Sequence, residues 1–108
     1  MQLDKLKITY SKDEFIAMLH FLHTNLFYME AKKDAGIHEK LTCSLTKNIY
    51  DKLSRIKLQH RTKIPVTFQA YEALSLYQII GLTPANYHAD FVQATAQKTY
   101  SFINQKYT

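Results

Sequence analysis

Seven cationic side chains crowd one stretch of the chain: Lys40, Lys47, Lys52, Arg55, Lys57, Arg61 and Lys63, against only Glu39 and Asp51. The flanking stretches 1–36 and 66–108 each balance their lysines with an equal number of acids, so this segment carries the whole net charge of +5. On a helix, Lys40, Lys47 and Arg55 fall within about 80° of one another, given 3.6 residues per turn. Such a stripe is the footprint of a surface that takes phosphates, and phosphate contacts give affinity without reading sequence. Lysines and arginines that merely solvate the outer face of a helix would look the same. No helix-turn-helix, zinc-finger or basic-zipper pattern accompanies the stripe.

Other candidates for chemistry are thinner. His20 and His23 are three residues apart and share a helix face, with Glu30 on nearly the same stripe. A transition metal wants three or four ligands, usually drawn from a second element, and His38, His60 and His88 cannot be placed there from spacing. The expectation is no metal site, with these histidines capping the edge of a core. Cys43 has His38 and Lys47 near it in sequence, but a nucleophile needs a base in hydrogen-bond reach, and a plain half-buried thiol is the simpler reading. The nine acids are scattered, many at helix ends where capping accounts for them. The two glycines are 45 residues apart, so no phosphate-cradling loop exists. No catalytic residue and no cofactor are expected, and the chain is read as a non-enzyme. Tyr100 and Tyr107 share a helix face with Gln93, Gln97 and Asn104; they suit either a contact surface or, for Tyr107, an anchor for the C-terminus.

The elements that position these residues are readable. At 108 residues, with 46% hydrophobic and 21% charged side chains, the chain is one ordinary domain spanning 1–108. One cysteine rules out an internal disulfide framework. Two glycines and two prolines argue for long helices over a turn-rich sandwich. Ser11-Lys12-Asp13-Glu14 is a capping box, with Tyr10 and Phe15 as its hydrophobic staple, and opens a helix over about 11–34 that Gly36 closes. A second helix covers about 37–61, with Leu41, Leu45, Ile49, Leu53 and Ile56 as its apolar stripe, stopped by Ile64-Pro65. A short third helix, about 69–80, ends at Gly81. Thr83 and Pro84 open a fourth that runs to about Lys106, with Phe91, Val92, Thr95, Thr99, Phe102 and Ile103 inward.

Two pieces alternate with period two, about 6–10 and 64–68. They resemble each other: Ile8-Thr9-Tyr10 and Glu14 stand 58 residues from Val66-Thr67-Phe68 and Glu72, and Ile16 and Met18 pair with Leu74 and Leu76 at the same offset. This suggests a strand–helix–helix unit used twice, its strands meeting as a small ribbon; two extended linkers that never pair would also fit. The expected fold is therefore mainly α, a four-helix bundle of two antiparallel hairpins, with a two-stranded ribbon at one end.

Helix 1 carries more apolar surface than one stripe requires. Phe15, Leu19, Leu22, Leu26 and Met29 form the stripe, and Met18, Phe21 and Tyr28 widen it. Either helix 1 is central to a monomer, or Met18, Phe21 and Tyr28 form a self-association face. The second option leads to an expected homodimer. The expected function is that of a small helical interaction or regulatory protein. The alternative is an accessory nucleic-acid-binding protein using the basic face of helix 2, with nucleic acid or an acidic protein as partner. The start of the chain lacks a secretion-type apolar run, and the longest apolar region is broken by His20, His23, Thr24 and Asn25. A soluble, cytoplasmic protein without a membrane span is expected.

Overall fold

The computed structural model describes residues 3–32, 34, 36–84 and 88–108. Along the chain run β1 (Leu6–Ser11), α1 (Lys12–Ala31), α2 (Ile37–Ser54), β2 (Lys63–Phe68), α3 (Ala70–Leu82) and α4 (Asp90–Tyr107). The protein is mainly α: four helices pack as α1 on α2, α1 on α4 and α3 on α4, and β1 and β2 form one two-stranded antiparallel sheet. None of the helices is long and apolar enough to cross a membrane, among the described residues.

The strands pair as the repeat implies. Ile8 stands opposite Val66, its own counterpart 58 residues on, and the flanking pairs Leu6–Phe68 and Tyr10–Ile64 exchange under that same offset. The ribbon therefore maps onto itself by an internal two-fold, and each strand leads straight into the first helix of its unit. Burial follows the symmetry: Met18 and Leu76 are both fully buried, while Ile16 and Leu74 are exposed by 46% and 41%.

Alternation makes the strands two-faced. Leu6, Ile8, Tyr10, Ile64, Val66 and Phe68 point inward and are buried. They meet Phe15, Met18, Phe21 and Leu22 of α1, Ile49 and Leu53 of α2, Leu76, Ile79 and Ile80 of α3, and Ala96 and Ile103 of α4 in one apolar core. Two hydroxyls that enter this core satisfy each other across the fold. The Tyr10 hydroxyl lies 2.8 Å from Thr99 Oγ1, and Thr99 donates back to the Thr95 carbonyl one turn earlier. Burial pushes the Tyr10 hydroxyl far above its ordinary titration range, so it stays neutral.

The capping box of α1 is formed in both directions: Glu14 N donates to Ser11 Oγ at 3.1 Å, and Ser11 N donates to Glu14 Oε1 at 2.8 Å. Ser11→Ala should cost on the order of 1 kcal/mol; thermal melts of the two proteins check this, and equal midpoints would deny the hydroxyl its capping role. At the equivalent place in the second unit, Gln69 N donates to Glu72 Oε1 at 2.8 Å.

Several helix ends differ from expectation. α1 stops at Ala31, with Lys32 extended and its amide bonded to the Met29 carbonyl. Gly36, at φ −76°, instead precedes α2 and accepts from Lys40 N. α2 stops at Ser54 rather than near Arg61, because Ile56 and Leu58 fold back against the core, which a continued helix would not allow. α3 runs on through Gly81, whose bare Cα faces the Tyr100 ring. Thr83 ends α3 rather than starting α4: its hydroxyl donates to the Ile79 carbonyl, and Pro84 follows where a helix cannot continue. The expected first turn beyond Pro84 falls partly on residues 85–87, outside those described. α4 buries Thr95, Ala96, Thr99 and Ile103 but leaves Phe91 and Phe102 exposed, since those two lie one position off its inner stripe.

Candidate nucleic-acid interface

The outward positions of the ribbon are Lys7, Thr9 and Ser11 on β1 and Lys63, Pro65 and Thr67 on β2, and all are exposed. Lys5 precedes β1 and Lys12 follows it, both exposed. The loop from α2 into β2 closes against the β1–α1 junction: Lys12 N donates to the Thr62 carbonyl at 3.2 Å. Gln59, with a left-handed φ of 37°, turns this loop, and His60 and Arg61 line a shallow groove with Lys12 and Asp13. Lys5, Lys7, Lys12, Arg61 and Lys63 thus belong to the ribbon and its adjoining loop, with Asp4 and Asp13 as the acids nearest them in the chain.

The two glutamates nearest the ribbon are already engaged. Glu14, besides capping α1, receives Lys98 Nζ of α4 at 2.8 Å. Glu72 receives Lys52 Nζ of α2 at 2.7 Å. Each N-terminal glutamate is thus gripped by a lysine from the second helix of the other unit, a further expression of the two-fold. The Lys98 hydrogen bond, then the Ser11 amide, hold the Glu14 carboxyl below its ordinary value near 4.5. Both helix starts at this end thus hold their own carboxylates.

The basic segment does not act as one surface. Lys52 is withdrawn from it: its ammonium donates to the Thr67 carbonyl and to Glu72, and lies 5.7 Å from the centre of the Phe68 ring. Placing Lys52 in a free polyanion-binding set is therefore corrected, since its ammonium is held by Glu72 and the Thr67 carbonyl at the protein surface. Lys40 and Lys47 are exposed on α2, roughly 20 and 10 Å along the helix from Arg55 at a rise of 1.5 Å per residue. Arg55 caps α2, Lys57 and Arg61 occupy the loop, and Lys63 opens β2; all four are exposed. Lys5, Lys7 and Lys12 had been hidden by their neutral block of sequence. Their signal was the alternation itself: Lys7 and Thr9 fill the polar positions of an alternating strand.

The self-association set is also corrected. Met18 and Phe21 are 0% exposed, with the Phe21 ring 4.6 Å from that of His88, so neither can meet a second molecule. The α1 face that carries Met18 and Phe21 is covered by α2, α4 and the ribbon, while Ile16 and Phe27 remain exposed. Tyr28 is exposed and packs edge-on against Phe27.

His23 rests against the Tyr50 ring, and no group of three or more His, Cys, Asp or Glu among the described residues is placed to hold a metal ion. Cys43 is a half-buried free thiol. Tyr107 takes the anchoring role, its hydroxyl donating to the Asp4 carbonyl at 2.6 Å, while Tyr100 stacks on Tyr77 at 4.2 Å.

A two-stranded antiparallel ribbon with one solvent face has the dimensions that the major groove of B-form DNA admits, and ribbon proteins use strands in this way. Lysines at its ends and along the adjoining loop suit phosphates, while lysine and threonine at its centre can address base edges. No protein-family model, no curated protein and no solved structure matches the chain.

Proposed function

We propose that the protein is a non-enzymatic DNA-binding module of regulatory type that lays the β1–β2 ribbon in the major groove. The observation that carries this reading is the outward face of an internally two-fold ribbon, bearing Lys7, Thr9, Lys63 and Thr67, beside a loop bearing Arg61. The engagement of Glu14 and Glu72 by lysines lowers the electrostatic cost of bringing phosphates close. The reading keeps nucleic acid as partner but moves the contact from the α2 stripe to the ribbon.

Fluorescence anisotropy of a labelled DNA duplex, titrated at several salt concentrations, tests it. Binding should weaken steeply with salt, at about 0.9 log units per neutralised phosphate for each log unit of salt. Changing Lys5, Lys7 and Lys63 together to Gln should flatten that slope by about 2 to 3, the loss of two to three phosphate contacts, while Lys40→Gln with Lys47→Gln should leave it nearly intact. Folding should hardly change, because exposed charges contribute little to stability. Absence of binding at low salt ends the proposal, and a loss confined to the α2 variant returns the contact to that helix.

A second reading, self-association, is favoured by one observation: Phe27, Ile37, Leu41 and Leu82 are exposed at the far ends of α1 and α3 and the start of α2. Light scattering across concentrations separates a homodimer through this end from a monomer.

A further inference from the structure

We infer that the protein recognises an asymmetric DNA site, read by Lys7 in one half and left unread at the matching position by Pro65 in the other. The inference rests on the DNA-binding reading above and goes beyond it to the identity of the site.

The internal two-fold brings Lys5 onto Lys63, Lys7 onto Pro65 and Thr9 onto Thr67, since the pair Ile8–Val66 sits at its centre. The outward face therefore reads Lys-Lys-Thr in the first unit and Lys-Pro-Thr in the second. The outer lysines and the threonines match, so the backbone of a duplex would meet nearly the same surface in both halves. The middle positions do not match. Lys7 carries an ammonium that can donate to guanine O6 and N7, the commonest cation contact in the major groove. Pro65 carries neither a polar side chain nor a backbone N–H. Each strand of a two-stranded ribbon is an edge, which is where a proline is tolerated, so Pro65 leaves the pairing intact while removing a donor.

Thr9 opposite Pro65 has its match in Thr67 opposite Lys7, so it adds the same donor to both halves and does not make good the loss. Ser11 is committed to capping Glu14 N, and Lys52 is held by Glu72 and the Thr67 carbonyl. Two identical chains joined by a true two-fold must present the same reading set to each half of a palindrome. Here both units lie in one chain, so the two halves were free to diverge, and within the trio Lys5, Lys7 and Thr9 and its counterpart they diverge at the middle position.

Selection from a pool of randomised DNA duplexes by the full chain tests this, run in parallel on wild type, Lys7→Ala and Pro65→Lys, with circular dichroism confirming the fold of each. The wild type should enrich a site with a guanine preference in one half only, worth roughly 5- to 100-fold over other bases at that position. Lys7→Ala should bring that preference close to one while retaining duplex binding at low salt. Pro65→Lys should add a guanine preference in the opposite half and move the enriched site toward a palindrome. A palindromic site enriched by the wild type overturns the inference, as does a site unchanged by Lys7→Ala. Failure of the underlying DNA reading looks different: no duplex is retained by any of the three proteins at low salt, and the inference falls with it.

Discussion

Phe68→Ala should lower the stability of the protein by about 3–5 kcal/mol. Phe68 is fully buried at the end of β2, opposite Leu6, where the ribbon turns into α3. Truncation removes the ring from a site enclosed by the ribbon and the helices beneath it, and the resulting cavity adds to the lost burial. It also removes the surface over which the Lys52 ammonium is held. Domains of this size are stable by only about 5–15 kcal/mol, so roughly a fifth or more of the total is at stake, and the melting midpoint should drop by roughly 12–20 °C. Urea denaturation gives the number directly. Phe68→Leu, which keeps most of the volume, should cost much less. A loss below about 1 kcal/mol for the alanine variant would mean that the site collapses freely and that Phe68 is not a keystone of the ribbon.

Glu72→Ala should be the most damaging single removal of a charge. Its carboxylate, 7% exposed, accepts from Gln69 N and Lys52 Nζ. Removing it leaves an amide at the start of α3 without its partner and an ammonium holding only the Thr67 carbonyl. Breaking a buried pair costs about 3–5 kcal/mol, and because Lys52 can still reach water the expected loss is nearer 2 kcal/mol. The symmetry-related Glu14 is more open at 20% exposed, and Glu14→Ala should cost about half as much. Chemical denaturation of both variants measures the difference; equal losses would mean that the unequal burial of the two sites has no energetic consequence.

The Glu14 pair also predicts a pH dependence. Its carboxyl is held below its ordinary value by Lys98, then by the Ser11 amide. A carboxylate with a depressed folded-state value contributes stability that is fully present above the unfolded value near 4.5 and lost as pH falls through the lower folded one. Wild type should therefore exceed Glu14→Gln in stability at neutral pH, and the gap should close on acidification below the ordinary carboxylate range. A gap that persists unchanged in strong acid would show that the ion pair is not its source.

Much of this architecture is already determined by the order of residues. Period-two alternation at 6–10 and 64–68 requires two strands with one apolar face each, because side chains of a strand alternate sides. Ser11 and Glu14 set the start of α1 through bonds spanning three residues, which need nothing from elsewhere in the chain. The offset of 58 between Ile8 and Val66 already contains the two-fold of the fold. Helix ends were less legible, since what stops α2 at Ser54 is the return of Ile56 and Leu58 to a core built by other elements. Thr83 before Pro84 has the composition of a helix start and serves as a helix end, because its hydroxyl closes the last turn of α3.

The candidate site was decided by tertiary structure. Counting charge along the chain finds the cations of 37–65 but passes over Lys5, Lys7 and Lys12, whose acids lie in the same block of sequence. Antiparallel pairing of β1 with β2 brings Lys7 and Lys63 to one outward face across 56 residues of chain, while Lys98 and Lys52 bind Glu14 and Glu72 beside it. The same folding takes Lys52 out of the basic set and Met18 and Phe21 out of any external surface. Periodicity and capping act over a few residues, so sequence states them outright; which face meets solvent and which charges cancel depend on what packs alongside, and only the assembled chain settles that.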